Sequence, residues 1–171
     1  IGEIKLLIVL TMLSIAVVTD LQNFQISNRL IVSGFLTGLL LQIVELGVKG
    51  IGVFLINVSI PIILLYLLFL MHALGAGDIK LFSVIGGIWG FHVLCRTIVI
   101  SFLVGAVISA CKLLYYRNLI SRLWVFKEYV CQVLYTGRLL EYPIVSQEKQ
   151  HVIHFSISIL VGYAIAMEVS Y

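Results

Sequence analysis

Charge is what this sequence has least of: Asp, Glu, Lys and Arg together make up 11% of its 171 residues, against 61% that are hydrophobic. With a mean hydropathy of +1.15, a water-soluble globule is excluded, because soluble domains are about half apolar and about a quarter charged. Proline is almost missing, with two in the whole chain, so little interrupts long helices. Paired cysteines are missing as well: Cys95, Cys111 and Cys131 are odd in number and never spaced as C-x-x-C. That argues against a disulfide framework and against a thiolate zinc site, and leaves ordinary buried thiols. The excess of cations is only +3, too small for a nucleic-acid groove but enough to bias orientation in a membrane.

What is present is hydrophobic runs. A spanning helix takes about 20 mostly apolar residues, and runs near Ile4 to Thr19, Leu30 to Leu46, Ile51 to Met71, Ile79 to Cys95, Thr97 to Leu114 and Val152 to Val169 predict about six crossings. The expected fold is all-α, one polytopic membrane domain over residues 1–171 without a soluble appendage. The first run is read as a real span: its leader Ile1-Gly2-Glu3-Ile4-Lys5 is not basic and no A-x-A site follows. Between Tyr115 and Gly137, Leu119, Leu123, Phe126, Val130, Val133 and Leu134 form one helical stripe opposite Arg117, Ser121, Glu128 and Gln132. That pattern predicts an amphipathic helix lying in the interface, within a long cytoplasmic stretch over about 115–151.

An even number of crossings puts the turns around 20–29 and 72–80 and the stretch from Lys112 to His151 on one side. That side carries Arg29, Lys80, Lys112, Arg117, Arg122, Lys127, Arg138 and Lys149; the other has Lys5, Lys49 and Arg96. The positive-inside rule then places both termini outside and the three segments in the cytoplasm. Small residues at four-residue spacing, Gly34 with Gly38, Gly86 with Gly90, and Ser101, Gly105 and Ser109, suit close helix packing in lipid.

Two acids stand out. Asp20 directly follows an apolar run, and Asp78 sits between Gly75-Ala76-Gly77 and the run from Ile79, so each lies where the chain enters or leaves hydrocarbon. An ionisable group there is costly unless it is used or paired. From Asp20 the chain crosses out and back, returning to the same side at Asp78, so the two can meet. A meeting pair cannot ionise twice, and shares one proton near neutrality. In such a pair one carboxylate takes a proton from water while the other protonates a carbonyl oxygen. Taken singly, Asp78 would serve as a helix cap and Asp20 as an interfacial residue offset by Arg29. Gly75 and Gly77 would allow close backbone approach or a positive φ beside Asp78, and Lys80 reads as an interfacial anchor. His151 and His154, at i and i+3, read as polar residues at a helix entrance rather than as a metal site.

Gly75-Ala76-Gly77-Asp78-Ile79-Lys80-Leu81 resembles the G-x-G-D-x-K-L signature of the prepilin peptidases, the type IV leader peptidases of the GxGD aspartyl protease group. Asp20-Leu21-Gln22-Asn23-Phe24-Gln25-Ile26-Ser27-Asn28-Arg29 resembles their first-span Asp with its I-P-N turn, with Ser27 in place of proline. Ile153-His154-Phe155, followed by Gly162, is similar to their I-P-F stretch, again without proline. The resemblance implies Asp20 and Asp78 as catalytic pair, with Gly75 and Gly77, and beside them Lys80, as site support. It also implies cleavage of a short basic leader from a prepilin-like precursor, usually after Gly, at the cytoplasmic membrane edge, with the substrate's hydrophobic helix left in the bilayer. No metal or other cofactor is expected. Larger members add paired C-x-x-C zinc motifs and N-methylation; this chain resembles the small, peptidase-only branch. The rival readings are a small transporter or channel component using Asp78 and Lys80, and a Mg²⁺-dependent lipid-headgroup transferase, which would want more clustered acids than two.

Overall fold

The computed structural model describes residues 2–71, 73–115 and 154–168. Within them are six helices: α1 (Gly2–Asn23), α2 (Asn28–Leu46), α3 (Lys49–Leu70), α4 (Ala76–Trp89), α5 (Phe91–Tyr115) and α6 (Phe155–Glu168). Four of them, α1, α2, α3 and α5, are long and apolar enough to cross a membrane. The expected amphipathic helix over 115–137 lies outside the described residues. The chain divides into two compact units, residues 1–105 with 154–171, and residues 106–153; the packing below belongs to the first.

Each helix buries one stripe. In α1 the buried residues are Lys5, Val9, Met12, Leu13 and Ala16, and the next position on that stripe, four residues on, is Asp20. In α2 the buried face is Ile31, Gly34, Gly38 and Gln42, while Val32, Leu36, Leu40 and Val44 form an exposed row at four-residue spacing, the face suited to lipid. Helix α4 differs: Ile79 and every residue from Leu81 to Ile88 are buried, and it touches α1, α2, α3 and α6. A helix apolar all round belongs at the centre of a bundle, which is why a run of only 14 residues is sufficient here.

Close approach around α4 depends on its glycines. A Cβ on Gly86 would lie 2.8 Å from the carbonyl oxygen of Asn57, the oxygen that Pro61 leaves without its helical donor. The other end of α4 closes at Gly90, whose φ is 85° and whose N–H bonds the carbonyl of Gly86 at 2.8 Å. The sequence reading placed this boundary near Arg96. A glycine in the left-handed region ends a helix more decisively than one cation does, and Arg96 lies inside α5. Buried Gln42 donates to the freed carbonyls of Gly87 (3.1 Å) and Ile88 (3.4 Å), satisfying the orphaned end of α4.

At that same end Lys5 Nζ pairs with Glu45 at 2.6 Å and stands 5.8 Å from the Trp89 ring centroid, and Trp89 Nε1 donates to the Tyr163 hydroxyl at 2.7 Å. The start of α1, the end of α2 and the end of α4 therefore lie level, joined to α6. Cys95 is half-buried and Cys111, in the second unit, exposed, both free; the expectation of a buried thiol fails at Cys111.

Candidate active site

Asp20 lies in the last turn of α1 and Asp78 in the first turn of α4. With two helices between them, both reach the same end of the bundle, where they line one cavity of about 380 Å³ together with Phe24, Ile26, Asn28 and Lys80. That volume is at the small end of the roughly 300–1,000 Å³ of ligand sites, room for a short stretch of extended peptide.

The start of α4 fixes Asp78. Gly75 is the N-cap, and its N–H donates to Asp78 Oδ2 at 3.3 Å, so the carboxylate does cap the helix, and the capping bond holds it facing the cavity. Neither Gly75 nor Gly77 has a positive φ; of the two expected reasons for glycine only close approach applies. A Cβ on Gly75 would lie 3.1 Å from Asp78 Oδ2, and one on Gly77 would lie 3.0 Å from Ile26 Cδ1. Ile26 thereby docks the α1–α2 turn on the start of α4. Lys80 Nζ donates to Asn28 Oδ1 at 3.0 Å, tying α4 to α2 beside the pair.

In that turn, Ser27 has φ −63°, the angle a proline ring imposes, so serine keeps the local backbone that the family's proline would set. Phe24 has φ 54°, unusual for a bulky residue, and its N–H bonds the Asp20 carbonyl at 2.8 Å. Its ring lies 5.0 Å from the His154 ring at 31°.

His154 and Ser156 are the residues that sequence reasoning missed. Ser156 Oγ donates to Asp20 Oδ2 at 2.6 Å, and His154 Nδ1 lies 3.2 Å from the same oxygen. The available clue was two polar side chains flanking Phe155 at the mouth of an apolar run, in the stretch similar to I-P-F. Ser156 falls on the buried stripe of α6 with Ile159 and Tyr163.

Asp78 sits at the rim, ahead of the apolar run. Burial first, and the charge of Asp20 second, push its carboxyl from the usual 3.8 up to about 6, against a smaller opposing effect of the Gly75 N–H. Among the described residues no three His, Cys, Asp or Glu side chains gather so as to hold a metal ion. Chemically the site offers two carboxyls lining one cavity, one of which keeps a proton unusually far toward neutral pH.

No curated protein and no solved structure matches the chain. A family model does, that of the type IV leader peptidase family, over residues 7–110. The match takes in both aspartates, Gly75, Gly77 and Lys80, and stops short of His154 and Ser156. It covers more than half of the sequence, so the chain belongs to the type IV leader peptidase family and is, with it, an aspartic prepilin peptidase.

Proposed function

We propose that this protein cleaves the short basic leader from prepilin-like precursors at the cytoplasmic edge of the cell membrane, with Asp20 and Asp78 as the catalytic pair. The observation that carries this reading is that the two carboxyls line one cavity and that Asp78 holds its proton up to about pH 6. An ionised carboxylate takes a proton from water as the water oxygen bonds to the scissile amide carbon, and the protonated partner gives its proton to the carbonyl oxygen. The tetrahedral diol then collapses: the C–N bond breaks, the amine leaves with a proton, and the pair is returned with one proton between its two members.

Gly75 and Gly77 let the backbone at the start of α4 close against its neighbours, and Lys80 secures α2 beside the site. The count of cations, eight against three, supports a cytoplasmic site with both termini outside. The substrate's hydrophobic helix would stay in lipid beside the bundle while its leader reaches the cavity. The test is incubation of purified protein in detergent or liposomes with a leader-bearing pilin peptide, beside Asp20→Ala and Asp78→Ala. Cleavage by the unaltered protein alone, insensitive to chelator, is the expected result. Cleavage by either variant, or its loss on chelation, overturns the mechanism.

A further inference from the structure

We propose that His154 and Ser156 divide the labour within the pair: by donating to one oxygen of Asp20 they hold it ionised and aimed, which makes Asp20 the general base and Asp78 the general acid. This rests on the proposed Asp20–Asp78 chemistry and adds to it the two positioning residues and the direction of proton flow.

The asymmetry is in the hydrogen bonds. Asp20 Oδ2 has two side-chain partners, the Ser156 hydroxyl at 2.6 Å and His154 Nδ1 at 3.2 Å. The shorter has the length of an O–H donating to an anion. Ser156 donates, and Nδ1 donates in the tautomer that carries its proton there; both converge on one oxygen, leaving Oδ1 to take the proton of water. Asp78 receives one bond, longer, from the Gly75 N–H at 3.3 Å. Donors favour the charged form of a carboxyl, so the hydrogen-bond geometry assigns the role of base to the member with two partners.

The surroundings agree. The Asp20 side chain is 15% exposed and that of His154 is 17% exposed, so the anion has little water and depends on these partners. The groups facing it are Asp78 and Lys80 from α4, neutral Asn28 from α2, and His154 and Ser156 from the start of α6. Phe24, turned by its left-handed backbone, packs its ring against the imidazole. His154 and Ser156 touch neither substrate nor water in this scheme; they act through Asp20. Burial and the negative charge of Asp20 favour the proton on Asp78.

The experiment is the pH dependence of kcat and KM for the full chain on a leader-bearing pilin peptide, for Ser156→Ala, Ser156→Thr, His154→Ala and His154→Asn. Loss of one donor to a charged group raises the acidic limb of kcat by about one pH unit and lowers kcat by about tenfold, with KM within about twofold. Ser156→Thr keeps a hydroxyl and restores the profile. His154→Asn puts an amide nitrogen near the place of Nδ1 and recovers more activity than His154→Ala. Should Ser156→Ala fail to fold, His154→Ala carries the same expectation. Acidic limbs that overlay the unaltered enzyme in both alanine variants, or a shift of the alkaline limb instead, overturn the assignment. If the unaltered chain cleaves and Asp20→Ala does not, such a result removes only this inference; activity in Asp20→Ala removes the pair chemistry and the inference with it.

Discussion

Gly77→Ala tests how closely the two acids must be held. The added Cβ would lie 3.0 Å from Ile26 Cδ1 and 3.3 Å from both Ile26 Cβ and Cγ1, where carbon pairs prefer about 3.5–4.0 Å. Three atoms of one side chain are too near at once, so a rotation of its tip does not relieve the contact; the turn carrying Ile26 has to withdraw by about half an ångström. That turn continues from the last turn of α1, which carries Asp20. A displacement of about 1 Å costs about a hundredfold in rate, so kcat is expected to fall by about tenfold, with a smaller change in KM. Ile26→Ala in the same chain removes Cδ1 and Cγ1 and leaves only Cβ in the way, and is expected to return at least half of the loss on a logarithmic scale. Gly52→Ala is the control: nothing lies within 4 Å of its added Cβ, and as an exposed position in α3 it should leave kcat unchanged and raise thermal stability by up to about 1 kcal/mol. Full activity in Gly77→Ala, or a double variant whose loss is the product of the single losses, would refute the reasoning.

Other expectations follow from particular contacts. Because the Asp78 carboxyl is raised to about 6, its proton binds more tightly in the folded chain than in the unfolded one. Its contribution to stability is therefore greatest below about 3.8 and is lost as pH rises through about 6; thermal melts of the unaltered chain should show that decline, and Asp78→Asn should flatten it. The alkaline limb of kcat/KM on the pilin peptide is expected near the same pH. Glu45→Gln strands Lys5, whose side chain is 8% exposed, and should cost about 2 kcal/mol of stability in melts, whereas Lys5→Met with Glu45→Leu should recover most of it. Ser27→Pro fits the existing φ of −63° and should raise stability by about 0.4–1 kcal/mol; a lower melting temperature would show that the Ser27 N–H or Ile26 does not accept the ring.

That Asp20 and Asp78 share one end of the bundle was legible because topology requires it: two intervening helices return the chain to the side it left. The inward direction of Asp20 was also available, since it continues the stripe of Val9, Leu13 and Ala16. The break at Gly90 was harder, because Gly86, Gly87 and Gly90 read equally as packing residues, and only the backbone angle at Gly90 separates a terminator from a contact. Lys5 was read only as a cation of the outer side, and nothing in the sequence pattern paired it with Glu45. Their pairing depends on how far α1 and α2 slide along one another, which apolar periodicity does not fix. His154 and Ser156 reach Asp20 across more than 130 positions of sequence, and no local pattern encodes a contact of that range.

The shortness of α4 has a consequence for how water meets the reaction. At 1.5 Å per residue its 14 residues reach about 21 Å, well under the roughly 30 Å of a hydrocarbon core. Its Trp89 end is joined to the start of α1, the end of α2 and α6 through Lys5, Glu45 and Tyr163, and its other end begins at the two acids. On the proposed chemistry, the acid that leads so short a helix stands at the cavity that Asp20 also lines, so water needs no channel along the length of α4 to reach it.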